Sequence, residues 1–225
     1  MQAIIDLYAN WIKDKRFPCV AAKAAVAREQ IQYLVADNMA CPKDDVAILD
    51  FLYNFIDLYR AAKIFYHSAV VIFKGPVNNS EEGFDSLLWQ RLQALSDMDA
   101  INFGYDKRVS SSPSSPNFSL SFKEEAMYVI GLHPLSNRLA RQFTYPVLVF
   151  NPHAQFEALR KTLKYEAMKK LVRKRDVAYS GSVNPMLEDF GKHSEAFQYS
   201  GRNYDGDWQC PLKINHTIDE HHSAT

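Results

Sequence analysis

Apolar residues recur at two spacings along this chain, and the spacing predicts where helices and strands fall. In Lys43–Lys63, the residues Val46, Leu49, Leu52, Tyr53 and Ile56 lie on one helical face. Ala21–Asp37 is rich in Ala, Arg, Glu, Gln and Leu and holds no Gly or Pro, so it predicts a helix ended by Cys41-Pro42. Ser80 reads as an N-cap, with Glu81 and Glu82 where a helix dipole favours acids. That helix runs to about Ser96, with Phe84, Leu87, Leu88, Leu92 and Leu95 inward. Asn151 caps and Pro152 opens a long helix to about Arg173, its core stripe Phe156, Leu159, Leu163, Ala167 and Leu171. Ser136–Phe143 predicts a short helix.

Strand-like runs lie between these. Phe65–Phe73 is rich in Val, Ile and aromatics and stops at Gly75-Pro76. Phe118–Phe122 and Met127–Leu132 are joined by Lys123-Glu124-Glu125, and Val147–Phe150 is a buried strand. Val109–Asn117, with five serines and two prolines, is a loop, mobile over 110–117. After Asp176 the chain turns Gly-, Pro- and Ser-rich, with one short helix near Met186–Phe190 and a frayed tail over 212–225. Helices interleaved with about four strands predict an α/β or α+β fold, a single mixed-sheet domain with flanking helices over 1–225.

Composition narrows the partners. The 225 residues are 47% hydrophobic, enough for a sizeable core. No apolar run approaches the ~20 residues that span a bilayer, and the N-terminus lacks a signal-peptide pattern, so no membrane partner and a cytoplasmic location are expected. Cys19, Cys41 and Cys210 form no CxxC, which argues against a closed zinc site or a disulfide framework. Lys+Arg and Asp+Glu both number 26, so nucleic acid is a poor partner. The balance is uneven, however: His133–Arg202 holds twelve basic and six acidic residues, and the rest carries the opposite excess. A homodimer is compatible with this composition.

The basic stretch also holds the candidate chemistry. Lys169, Lys170, Arg173, Lys174 and Arg175 read as a solvated helix end. Arg138, Arg141 and Arg202 lie in turns, where they can anchor a carboxylate or phosphate. His133-Pro134 and Asn151-Pro152-His153 each place a His where a strand ends. If Met127–Leu132 and Val147–Phe150 run parallel, both imidazoles open onto the carboxyl edge of the sheet, where α/β proteins bind ligands. His153 at a helix N-terminus is expected to stay neutral, as a ligand to a metal or haem iron must, so it ranks first and His133 second. Cys19, just before a helix N-terminus, offers a thiolate as nucleophile or third candidate ligand; a small buried residue is the plainer reading. His67 reads as core or surface; His216, His221 and His222 read as solvated tail.

These stretches resemble the YqcI/YcgG family. The resemblance rests on FPCVAAKAA (Phe17–Ala25), FDSLLWQRLQAL (Phe84–Leu95), GLHPLSNRLARQFTYPVLVFNPHAQFEALR (Gly131–Arg160), RDVAYSGSVNPMLEDFG (Arg175–Gly191), SEAFQYSGR (Ser194–Arg202) and WQCP (Trp208–Pro211). It implies protohaem IX (haem b) as cofactor, and an oxidoreductase using dioxygen and an electron donor. It implies monooxygenase N-hydroxylation of an amino acid such as L-arginine as the reaction. It carries the family's motifs onto His133, Ser136, Arg138, Arg141, Asn151, His153, Cys19, Tyr199 and Arg202. On this reading Arg138 and Arg141 hold haem propionates. Asn151, Asn184 and Tyr199 hold oxygen or substrate, and Glu157, Asp176 or Glu195 meets a cationic substrate. The alternatives are a haem-binding or sensing protein without turnover, and a module that binds a phosphorylated ligand without haem.

Overall fold

The computed structural model describes residues 1–62, 66–77, 80–162, 165–182 and 191–216. Among the described residues one sheet of five strands runs in the order β1-β2-β5-β4-β3. The strands are β1 (Ile31–Asn38), β2 (Ser68–Gly75), β3 (Leu120–Phe122), β4 (Glu125–Leu132) and β5 (Val147–Pro152). β1 and β2 are parallel, joined by the crossover helix α3 (Asp45–Ala62) after α1 (Gln2–Lys13) and α2 (Val20–Ala27). The other three pairings are antiparallel. α4 (Glu81–Asp99), α5 (His153–Arg160), α6 (Tyr165–Ser180) and the one-turn α7 (Ala196–Tyr199) complete the described helices. The sheet is mixed and helices flank it, as the alternation of periods predicts.

Alternation along the central strands explains the layers. Val71, Phe73, Leu148, Phe150, Met127 and Val129 turn to one face and pack with Ile48, Leu52, Phe84, Leu88 and Leu92 of α3 and α4. Val70, Ile72, Val147, Val149 and Leu132 turn to the other and meet Tyr8 and Ile12 of α1. Ser80 caps α4 as expected, its Oγ accepting from Gly83 N at 3.0 Å. At Gly131 a Cβ would stand 2.7 Å from Leu88 Cδ1 and 2.8 Å from Phe84 Cε1, so α4 sits where only glycine lets it. Gly131→Ala is expected to destabilise by about 1–3 kcal/mol, read as a lower urea midpoint at unchanged slope.

The structure corrects several expectations. Ala21–Asp37 is not one helix: α2 ends at Ala27, Glu29 adopts a left-handed φ of 55°, and β1 follows. Ladder pairing with β2 overrides helix propensity in Gln32–Val35. The Asn151 helix is two helices, because Thr162 turns back on Leu159 O through both its N–H and its Oγ1. The break shifts the phase. Met168, Val172 and Asp176 of α6 face inward, while Ala167 and Leu171 are exposed; Leu163 lies outside the described residues. Asn151 belongs to β5 and caps nothing, and Ser136–Phe143 holds only a 3-10 turn, Leu139–Arg141. The 110–117 segment is a loop, as expected, and carries backbone bonds such as Ser110 N to Asn117 O, 2.9 Å. The tail is docked as far as His216, whose Nε2 lies 2.8 Å from Asp99 Oδ2 with both side chains fully buried. α1 was not anticipated, and residues 217–225 and the Met186–Phe190 helix lie outside the described residues.

One correction bears directly on the site. β4 and β5 are antiparallel, with Met127 opposite Pro152 and Leu132 opposite Val147. Their carboxyl ends therefore lie at opposite edges of the sheet, and His133 and His153 with them. No helix among the described residues is long and apolar enough to cross a membrane.

Candidate functional site

A cavity of about 270 Å³ lies between the α1 side of the sheet and the helices α1, α2, α5 and α6. That is close to the lower end of ordinary small-molecule sites, about 300 Å³. Its floor includes Ile130, Leu132 and Val149, and its walls include Trp11, Phe17 and Phe156. The polar groups at its surface are few. Ser68 Oγ donates to Asn151 Oδ1 at 2.7 Å, and Asn151 Nδ2 to Tyr128 O at 3.2 Å. Gln155 Nε2 donates to His67 O at 2.9 Å, which fixes the orientation of the amide. Its Oε1 is buried without a partner. Arg138, Arg141 and Asp176 are the charged residues of the lining.

Cys19 lines this cavity as the N-cap of α2, its Sγ accepting from Ala22 N at 3.4 Å. Burial pushes the thiol pKa up, the Ala22 and Ala21 amides pull it down, and nearby Asp176 raises it further. The balance is a raised pKa, which keeps a proton on sulfur, against the lowering that a helix N-terminus alone would give.

Neither candidate imidazole lines the cavity. His153 Nδ1 lies 3.2 Å from Glu195 Oε1 and Nε2 lies 3.5 Å from Glu157 Oε1, so a carboxylate faces each ring nitrogen. His133 is on the other side of the sheet, stacked on Phe84 of α4 with centroids 4.4 Å apart. Both its nitrogens are buried and unpartnered, and burial, helped by Arg141, depresses its pKa to about 4.

The expected propionate clamps are occupied by the protein. Arg138 Nη2 donates to Asp176 Oδ2 at 2.7 Å and to Ser182 O at 2.9 Å. Arg141 donates to Gly131 O, Tyr199 O and Gln198 O. Ser136 supports the same turn, its Oγ accepting from Arg138 N at 3.3 Å. Tyr199 is core: its OH accepts from Leu120 N and donates to Met127 O. Arg202 lies near α4, 3.7 Å from Glu82 and Asp85. Asn184 lies outside the described residues. Of the sequence candidates, Asn151, Cys19, Arg138, Arg141 and Asp176 meet at the cavity. Ser68 and Gln155 were not anticipated. Gln155 sits two residues past His153, between Ala154 and Phe156, a polar residue among apolar neighbours that could have signalled it. Among the described residues no three His, Cys, Asp or Glu side chains cluster as a metal site.

The profile of the YqcI/YcgG family matches residues 8–213, a span that contains all five described strands and every residue of the cavity lining. The chain belongs to the YqcI/YcgG family. It is similar to the uncharacterized protein YqcI of Bacillus subtilis (strain 168), 29% identical over 210 residues that cover 89% of this chain and 82% of that protein. No solved structure matches the chain significantly. Within this family member, the Gly131–Arg160 motif builds two different things. Its first half forms the turn around Arg141, and its second forms β5 and the α5 wall of the cavity.

Proposed function

We propose that the cavity holds a haem and that the protein is a haem-dependent monooxygenase hydroxylating a nitrogen of an amino acid such as L-arginine. The observation that supports this best is the cavity: apolar and aromatic walls, one sulfur donor at a helix N-terminus, and an orphaned amide oxygen on a lining residue. Cys19 is the lining residue that would serve as iron ligand, since neither His153 nor His133 lines the cavity. Bound haem would supply activation of dioxygen, and the protein would supply binding and orientation. Cys19 would hold the iron, with the Ala22 N–H donating to its sulfur. Trp11, Phe17 and Phe156 would exclude water. Asp176, held by Arg138, presents the carboxylate suited to a guanidinium or ammonium, and Ser68 with Asn151 orients the polar end of the substrate. A porphyrin is larger than the cavity of about 270 Å³, so the reading requires the lining to open on loading. The phosphorylated-ligand reading has less support, because Arg138, Arg141 and Arg202 all face protein acceptors.

Haemin reconstitution tests the reading. The full chain is expected to gain a Soret band that Cys19→Ala loses or shifts and that His153→Ala and His133→Phe keep. No band in the wild-type chain would sink the cofactor. A band kept by Cys19→Ala and lost by His153→Ala would move the ligand to the helix terminus. Turnover with L-arginine, dioxygen and a reductant then separates enzyme from sensor by a one-oxygen gain in substrate mass.

A further inference from the structure

We propose that the free edge of β1 joins two copies of this chain into one continuous sheet about a two-fold axis. β1 ends the sheet, and among the described residues its strand partner is β2 alone. In a parallel ladder alternate residues turn both backbone groups toward the neighbour. Gln30 O accepts from Ser68 N at 3.2 Å, so Gln32, Leu34 and Ala36 face β2. Ile31, Tyr33, Val35 and Asp37 face away. The Asp37 N–H is already taken by Asp44 Oδ2 at 2.7 Å. No backbone or side-chain bond among the described residues reaches the outward groups of Ile31, Tyr33 or Val35.

Edge strands are ordinarily guarded by charge, proline, a bulge or short length. Here the run Ile31–Ala36 is IQYLVA, without charge or proline, in a strand of eight residues. The buried β2 beside it shows the contrast: six of its residues are buried, whereas β1 is half-buried nearly throughout.

The edge is self-complementary, which selects a second copy as its occupant. An antiparallel register centred on Tyr33 sets Ile31 of each copy opposite Val35 of the other. It uses all three free residues and leaves the capped Asp37 outside. Each hydrogen-bonded pair exchanges two bonds, so the three pairs make six. A two-fold axis perpendicular to the sheet keeps like faces together. It thereby brings α1 toward α1 and α3 toward α3, the helices that carry the exposed apolar Leu7, Val46 and Leu58. A formal net charge of zero adds no repulsion between copies.

Sedimentation equilibrium of the full chain without haem tests this. The wild-type chain is expected to be a dimer, and Val35→Pro to associate at least about 100-fold more weakly with an unchanged circular dichroism spectrum. Proline suits the test because the Val35 N–H points away from β2, so no bond within one copy is lost. Should that variant misfold, hydrogen exchange on the wild-type chain decides. The Tyr33 and Val35 amides should exchange slowly at high protein concentration and fast on dilution, with Leu34 protected at both. A wild-type chain that stays monomeric overturns the proposal, as does a dimer whose Tyr33 and Val35 amides exchange equally fast at both concentrations.

Discussion

Arg141→Met should lower the stability of the protein by about 4 kcal/mol, because it strands buried carbonyls to which no backbone N–H among the described residues donates. The Arg141 residue is 7% exposed. Its Nη1 donates to Gly131 O at 3.2 Å and Tyr199 O at 3.0 Å, and its Nη2 to Gln198 O at 2.7 Å. The guanidinium thus bolts β4 to α7, while the Arg141 carbonyl accepts from His133 N at 3.1 Å. Chain close by is shaped around it: at Gly201, with φ of 85°, a Cβ would lie 2.5 Å from Arg141 Cδ. Methionine restores the aliphatic stem and none of the donors, so the loss reports the unsatisfied carbonyls rather than a cavity. Lysine keeps a charge but lacks the planar fork that reaches three acceptors, so Arg141→Lys should recover less than half of the loss. Urea melts of the three proteins at neutral pH check this. Arg141→Met within about 1 kcal/mol of the wild type would show that water or relaxation satisfies the carbonyls.

That bolt explains why part of the site was legible and part was not. The strands β2, β4 and β5, the helices α3 and α4 and the hairpin at Lys123-Glu124 followed from periodicity and turn residues. Periodicity fails where partners decide. Gln32–Val35 has no strict alternation because β1 is half-buried on both faces, and its identity depends on β2, thirty-odd residues away in sequence. The direction of β5 against β4 is likewise a long-range choice, and it separates the two histidines that a parallel pair would have joined. Arginines in turns read the same whether they await a ligand or hold the chain. Only the positions of Gly131 O, Gln198 O and Tyr199 O show that Arg141 does the second. Cys19 is the converse case: Phe17-Pro18-Cys19 before a helix was visible, but the cavity beside it is built by four helices and the sheet.

Acidification should destabilise the wild-type protein through His133, and His133→Phe should remove that part of the loss. The imidazole is 2% exposed and lies nearly parallel to the Phe84 ring, at 20°. Neither nitrogen has a partner, and the Arg141 guanidinium is the charged group that acts on it. Burial and that cation both oppose a second proton, which brings the pKa from 6.5 down to about 4. Above pH 6.5 the imidazole is neutral folded and unfolded, and it contributes no pH dependence. Below 6.5 the unfolded chain takes up a proton that the native state refuses, so stability falls until about pH 4 and then levels. At about 1.4 kcal/mol per pH unit, the loss across that interval is about 3 kcal/mol, a large share of an ordinary domain's stability. Buried carboxylates such as Asp106, held below its usual pKa by Arg108 and the Ala126 amide, also lose stabilisation in acid, but they do so in both proteins. The difference between wild type and His133→Phe therefore isolates the imidazole. Phenylalanine keeps the stack on Phe84 and removes two orphaned nitrogens, so the variant should match or exceed the wild type at neutral pH. Its lead should widen as pH falls toward 4. Parallel urea midpoints for the two proteins between neutral pH and pH 4 would instead mean that a partner, such as an ordered water, already satisfies His133.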